Sequence, residues 1–237
     1  MKSSILLGAG EIGSAYYQIL SPIFPTWRVD ILPEKCDIGV PDMVDILHVC
    51  LRYSDKWEAA VHDAIDGFEP SIINVMTTTP PGTTEKLGPR ACHSTSRGLH
   101  PSLAAFIKAT PKHIGGPRAE ELADYFSGAG IECIIHARAV TTELLHVASN
   151  TQYAASIVFA AELEKLFREY GVDWFDFERY SHSHNQGYAR MGYSSKFRPI
   201  LHPPGQTING HCITQNSLLI PEDKRGPIMR MIAGFNK

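Results

Sequence analysis

Cys212 stands in Gly210-His211-Cys212, inside the run TINGHCITQN over 207–216, where a thiol follows a histidine in a polar loop. A loop cysteine can be a nucleophile, a metal ligand or a packing residue, and only a base, cofactor or charge partner elsewhere decides among these. His146 and Asn150 are four residues apart in a stretch of helical period, so they share one helix face. On that face a histidine can exchange the proton of a substrate alcohol while the asparagine orients its oxygen, and an imidazolium would lower the pKa of a nearby thiol. The same spacing suits a hydrogen-bonded pair at a helix interface. Arg190, Lys196 and Arg198 precede the cysteine loop and suit a substrate carboxylate or phosphate, or a solvated basic face. His182, His184, His202 and His211 match no standard zinc spacing, so solvent-exposed histidines are expected and no metal.

A cofactor signal lies at the other end of the chain. Ser3 to Leu7 reads as a short buried strand, and Gly8-Ala9-Gly10-Glu11-Ile12-Gly13 follows it and opens a helix over 11–20. In that context Gly8 permits a tight turn, Gly10 lets a pyrophosphate approach the backbone, and Gly13 lets the helix pack against the strand. A second strand over 27–31 brings Asp30 to 22 residues after Gly8, where an acid can accept both ribose hydroxyls and repel a 2′-phosphate. The expected cofactor is NAD, lined by Gly8, Gly10, Glu11, Ile12, Gly13 and Asp30, and by Cys50, Leu51 and Thr77 at the ends of later strands.

The elements that must position these residues follow from the pattern. Strands are predicted over 45–50, 71–75 and 131–135, with a helix over 55–68 and an amphipathic stretch over 117–126. This alternation predicts an α/β domain, a Rossmann-type doubly wound parallel sheet over 1–138. From Thr141, a candidate cap, to Tyr170, apolar residues recur at helical spacing, and Gly171 stands where a helix ends. A second helix is predicted from near Asp173. Residues 139–237 therefore read as an all-α dimerisation and substrate domain with one long helix. That helix has apolar positions on several faces, so a homodimer is expected.

Composition narrows the class. The 237 residues are 43% hydrophobic and 20% charged, enough to bury a full core, with a net charge of −3. Residues 1–138 hold 12 basic against 16 acidic side chains and residues 139–237 hold 10 against 9, so neither part suggests a nucleic-acid partner. The five cysteines, Cys36, Cys50, Cys92, Cys133 and Cys212, are widely spaced and odd in number, which suits a reducing compartment. The first apolar run is short and broken by Gly8, Gly10 and Glu11, so neither a signal peptide nor a membrane helix is expected, and the cytoplasm is the expected location.

Several segments together resemble a known family. They are GAGEIG (8–13), VDILPE (29–34), DILHVC (45–50), TTTPPGTT (77–84), ELLHVASN (143–150) and PPGQTINGHCITQN (203–216). The chain resembles a shortened relative of the UDP-glucose/GDP-mannose dehydrogenases, within the 6-phosphogluconate-dehydrogenase-like superfamily, without the C-terminal nucleotide-sugar-binding domain. The resemblance implies an NAD-dependent oxidoreductase that oxidises an alcohol of a small polar or anionic substrate. In that family the cysteine forms a thioester with the oxidised sugar, so the resemblance implies that Cys212 sits beside the nicotinamide and that Thr78 lies near the catalytic water.

The departures are specific. The family's catalytic lysine falls on His146, the carboxylate four residues after the cysteine on Asn216, and a motif glutamate on Ser102. His100-Pro101 is similar to the catalytic His-Pro of prephenate dehydrogenases. A second reading is therefore a two-electron hydroxy-acid or prephenate-type oxidation with His100 or His146 as base and Cys212 lining the pocket. A third is an NAD-binding scaffold with impaired catalysis, against which the retained Cys212, Thr78 and Asn150 argue. Substrate affinity is expected to reside in 181–206.

Overall fold

Strand β1 (Ser4–Leu7) is buried along its whole length, which is why its sequence runs apolar without alternation. The computed structural model describes residues 2–98, 101–203 and 218–234. After β1 come α1 (Glu11–Leu20), β2 (Thr26–Val29), β3 (Ile46–Val49), α2 (Trp57–Phe68), β4 (Ile72–Val75), β5 (Ala91–Ser94), α3 (Leu103–Ala109), β6 (Lys112–Gly115), α4 (Ala119–Gly128) and β7 (Cys133–His136). The strands form one sheet in the order β2-β1-β3-β4-β5-β6-β7. Ile5 of β1 sits between Trp27 and Leu47, so strand order reverses at β1. In an open α/β sheet the crevice beyond the strand ends at such a point is where ligands bind.

Alternation along the strands sends Leu6, Ile46 and Ile72 to one face, under Tyr16, Leu20 and Phe126. Ile5, Leu47 and Ile73 go to the other, under Trp57, Val61 and Ile65. The sheet is thus doubly wound. It departs from the all-parallel expectation at one pairing: β5 and β6 are antiparallel, with His93 opposite Gly115, so β6 and β7 run against the other five. The last strand in the order, β7, leaves Ile134 and Ile135 40% and 48% exposed.

β5 and β6 are also the two strands that the apolar pattern does not mark, because each carries buried polar side chains. Ser94 Oγ donates to Asn74 Oδ1 at 2.8 Å, and Asn74 Nδ2 donates to His48 Nδ1 at 2.8 Å. Lys112 Nζ donates to the Tyr16 hydroxyl at 2.7 Å and to the Thr95 carbonyl at 2.9 Å. Burial drives the Lys112 ammonium down to about 7 and the His48 imidazole down to about 3.

Residues 1–146 form one compact unit and residues 147–237 another. Helix α5 (Ala139–Tyr170) gives its first two turns to the first unit. The boundary expected at 138/139 coincides with the start of this helix. Thr141 lies inside its first turn and does not cap it. At the other end Gly171, at φ +68°, follows the last turn, and the Val172 amide donates to the Phe167 carbonyl at 2.8 Å.

In the second unit Ala154 and Val158 of α5 bury against Ile232 of α7 (Pro227–Gly234). Helix α6 (Trp174–Arg190) starts at Asp173, whose side chain accepts from the Phe175 amide at 2.9 Å. Phe167, Trp174 and Phe177 pack ring on ring at the α5–α6 turn, the Phe167 and Phe177 centroids 5.3 Å apart. Among the described residues no helix is long and apolar enough to cross a membrane.

Candidate functional site

The glycine turn has a distinct geometry at each of its three positions. Gly8 leaves β1 with φ +103°, and a Cβ there would stand 3.1 Å from backbone atoms of Cys50 and Leu51. A Cβ on Gly13 would collide with the Gly8 carbonyl, so α1 can lie this close to β1 only with glycine. Gly10 is the opposite case: a Cβ there would meet nothing within 4 Å. It is exposed at the N-terminus of α1 and brings no side chain of its own to cap the helix, an arrangement that suits an anionic acceptor. Glu11 opens the helix, and the Ile12 side chain packs against the core.

Asp30 is tied into this turn. Its Oδ2 accepts from the Ala9 amide at 2.6 Å and its Oδ1 from the Leu32 amide at 3.1 Å. Desolvation raises its pKa, but these amides and the Lys35 charge outweigh it and hold the carboxyl below its ordinary range. The carboxylate keeps acceptor capacity for a further donor. Cys36, not anticipated as part of this site, folds back on the strand end: its Sγ accepts from the Asp30 amide and donates to the Asp30 carbonyl, both at 3.2 Å.

At the neighbouring strand ends the side chains are already committed. Thr77 Oγ1 donates to the Leu51 carbonyl at 2.5 Å and lies 3.2 Å from that of Val49. Its hydroxyl thus ties the end of β4 to the end of β3. Burial pushes the Cys50 thiol up to about 12, which makes it an inert wall.

The loop TTTPPGTT is held by a residue that the motif contains but its chemistry did not single out. Glu143, fully buried in the second turn of α5, accepts from the Thr84 hydroxyl at 2.7 Å and the Thr84 amide at 2.8 Å. It also accepts from the Gly82 amide at 2.5 Å and the Thr79 hydroxyl at 3.2 Å. An acid on a buried, apolar helix start is the signal that could have found it. Thr78 sits half-buried within the segment so clamped.

Beside this clamp, His93 Nδ1 lies 2.9 Å from Thr142 Oγ1 and its Nε2 3.3 Å from the Thr77 carbonyl. A neutral ring protonated on Nε2 satisfies both. Burial pushes His93 down to about 3 and His146 down to about 4, and their ring centroids are 6.5 Å apart. Burial thus favours the neutral ring at His146, whose buried Nδ1 has no hydrogen-bond partner among the described residues. It opposes the imidazolium expected to lower a thiol pKa.

Asn150 follows one turn later in the same helix. Arg190 ends α6, and Lys196 and Arg198 lie in the segment after it, all exposed. Ser102 directly precedes α3. His100, His211, Cys212 and Asn216 lie outside the described residues.

This geometry can be set beside known proteins. No protein-family model matches the chain. In sequence it is 23% identical over 189 residues to UDP-N-acetyl-D-mannosamine dehydrogenase of Pyrococcus horikoshii, a match covering 72% of this chain and 41% of that relative. The chain thus spans about two-fifths of the length of the curated relative it matches. The solved UDP-D-ManNAc dehydrogenase of P. horikoshii superposes with a TM-score of 0.78 at 19% identity, over 97% of this chain and 67% of that one. The fold is shared with UDP-sugar dehydrogenases. The UDP-N-acetyl-mannosamine dehydrogenase of Staphylococcus aureus superposes at 0.73 and 17% identity, over 99% of this chain and 67% of that one. Shorter dehydrogenases share the fold too: 3-hydroxyisobutyrate dehydrogenase of Mycobacterium tuberculosis superposes at 0.73 and 14% identity, covering 98% of this chain and 91% of that one.

Proposed function

We propose that this chain is an NAD-dependent oxidoreductase that acts on an alcohol of a small polar or anionic substrate, in the manner of the nucleotide-sugar dehydrogenases it is similar to. One observation carries the reading. The open backbone at Gly10 and the ionised Asp30 are joined through the Ala9 amide, so a phosphate cradle and a ribose acceptor are fixed relative to each other. The residues fit NAD: the N-terminus of α1 for the pyrophosphate, and the Asp30 carboxylate for the adenosine ribose hydroxyls. When bound, the nicotinamide accepts the hydride. The chain's own part is to bind, orient and take up a proton.

In this reading Cys212 lies in the substrate pocket, Thr78, Asn150 and Asn216 orient the reacting oxygen or water, and His146 or His100 accepts the alcohol proton. His146 is already in the neutral form that such a base needs. Arg190, Lys196 and Arg198 engage an anionic group. A homodimer built on α5 belongs to the same reading, supported by half-exposed Leu144, Leu145, Phe159 and Leu166 along the helix. Light scattering at micromolar concentration should give twice the chain mass, and a monomer opposes the dimer.

Calorimetry tests the core of the proposal. NAD should bind at micromolar to millimolar concentration and in preference to NADP, and Asp30→Ala should erode that preference. Equal affinity for both cofactors in the unmodified protein would overturn it. A second reading, a single two-electron oxidation without a thioester, is supported by the cover of 91% of the M. tuberculosis hydroxyacid dehydrogenase. Counting NADH per substrate consumed separates the two: two for alcohol to acid, one for alcohol to carbonyl.

A further inference from the structure

The second unit contains a cavity that the cofactor reading does not use. It has a volume of about 950 Å³, near the top of the range of about 300–1,000 Å³ that organic ligands occupy, and lies between α5, α6 and the segments around Arg198 and Lys224. Its walls are largely apolar, with Phe159, Leu163, Phe177, Tyr180, Leu201 and Ile228 among them. Among the described residues two cations line it, Arg198 and Lys224, and no carboxylate does.

The Thr151 and Ser156 hydroxyls of this cavity donate to the Val147 and Gln152 carbonyls, but its charged groups lack partners among the described residues. Asn185 of α6 holds the Arg198 backbone, accepting from its amide and donating to its carbonyl, both at 2.9 Å. The backbone is thereby fixed, while the guanidinium has no hydrogen bond or ion pair among the described residues, and the Lys224 ammonium has none either. His184, a third lining residue, has a buried Nε2 without a hydrogen-bond partner among the described residues, and its ring stands edge-on to Tyr188 at 4.8 Å. Two uncompensated cations and an orphaned ring nitrogen over an apolar wall form a surface that an anion with an apolar body would complete.

We infer that this cavity binds an amphipathic organic anion. The apolar or aromatic body lies against Phe159, Phe177 and Tyr180, the carboxylate, sulfonate or phosphate meets Arg198 and Lys224, and a polar substituent meets His184 Nε2. Of the functional reading this takes only the assignment of Arg198 to an anion. Binding is measured without cofactor, so failure here leaves the NAD assignment standing.

The test uses the full chain and two fluorescent probes of similar shape, anionic 8-anilinonaphthalene-1-sulfonate and uncharged N-phenyl-1-naphthylamine. Both should bind saturably at one site per chain. The double variant Arg198→Ala, Lys224→Ala should weaken the anionic probe at least tenfold and leave the uncharged one within twofold. Ala155→Phe, which fills the cavity from α5, should abolish both. Ser156→Phe on the same wall serves if the first variant does not fold, with circular dichroism reporting folding. Unsaturable binding, an unchanged anionic probe in the double variant, or unchanged binding in the filled variants would each overturn the inference. So would binding that appears only when a dimer is diluted to monomer, because a second copy would then be the occupant.

Discussion

Glu143 Oε1 stands 2.7 Å from the Thr84 hydroxyl and 2.8 Å from the Thr84 amide, across 59 residues of sequence. The start of α5 is therefore pinned to the loop that follows β4 by a buried carboxylate with four donors. Removing that carboxylate strands two amides and two hydroxyls away from water, each at a cost of about 1–3 kcal/mol if it finds no new partner. Glu143→Ala should lower stability by about 3 kcal/mol or more in urea, and Glu143→Gln by less. Unchanged midpoints in both variants would show that the clamp contributes nothing.

Two glycines of the turn should fail differently. Gly13→Ala forces α1 away from β1, so it should lower the melting temperature and weaken NAD binding together. Gly10→Ala meets no atom of the described residues within 4 Å, so it should leave the melting temperature nearly unchanged while weakening NAD binding at least tenfold. Calorimetry and thermal melts on the same samples decide. Equal loss of stability in both variants contradicts the geometry.

Stability should rise with pH over a wide interval. Burial holds His48 and His93 at about 3, against 6.5 ordinarily, so between these values the unfolded chain binds protons that the folded chain refuses. Stability is therefore lost as pH falls below 6.5. Lys112 has the same sign at higher pH: about 7 when folded against 10.5 ordinarily, so stability climbs between them by up to about 1.4 kcal/mol per pH unit. The urea midpoint should increase from pH 7 to 9, and Lys112→Met should flatten that rise. A flat profile in the unmodified protein contradicts a neutral Lys112.

The thiols should react unequally. Burial pushes Cys50 up to about 12 and Cys92 up to about 11, so both should resist iodoacetamide. Cys212 should be modified first, and NAD should change its rate. If Cys212 reacts no faster than Cys50, and Cys212→Ala leaves NAD reduction intact, the cysteine has no chemical role.

The parts legible in the sequence are those whose cause is local. The turn at Gly8 to Gly13, Asp30 at the end of β2 and the long helix ending at Gly171 each follow from a few adjacent residues and a period. β5, β6 and the Glu143 clamp do not, because partners far along the chain satisfy their polar groups. Asn74 lies 26 residues from His48, and Thr142 lies 49 from His93. The antiparallel pairing of β5 with β6 was likewise invisible, since two four-residue strands carry no signal of direction. Lys112 opens a strand in the core although its type predicts a surface, and only the packing of Tyr16 and Phe126 around it explains why.

β7 has a consequence for the handling of the protein. Its outer rim offers backbone amides and carbonyls to solvent, with Ile134 and Ile135 half bare beside them, and such a rim is a template on which another extended chain can nucleate. Four residues make that template short, which limits growth to crowded solutions or to partly unfolded chains. Colloidal behaviour is thus governed by a strand remote from the glycine turn, and a lysine in place of Ile134 should raise the attainable concentration without touching cofactor affinity.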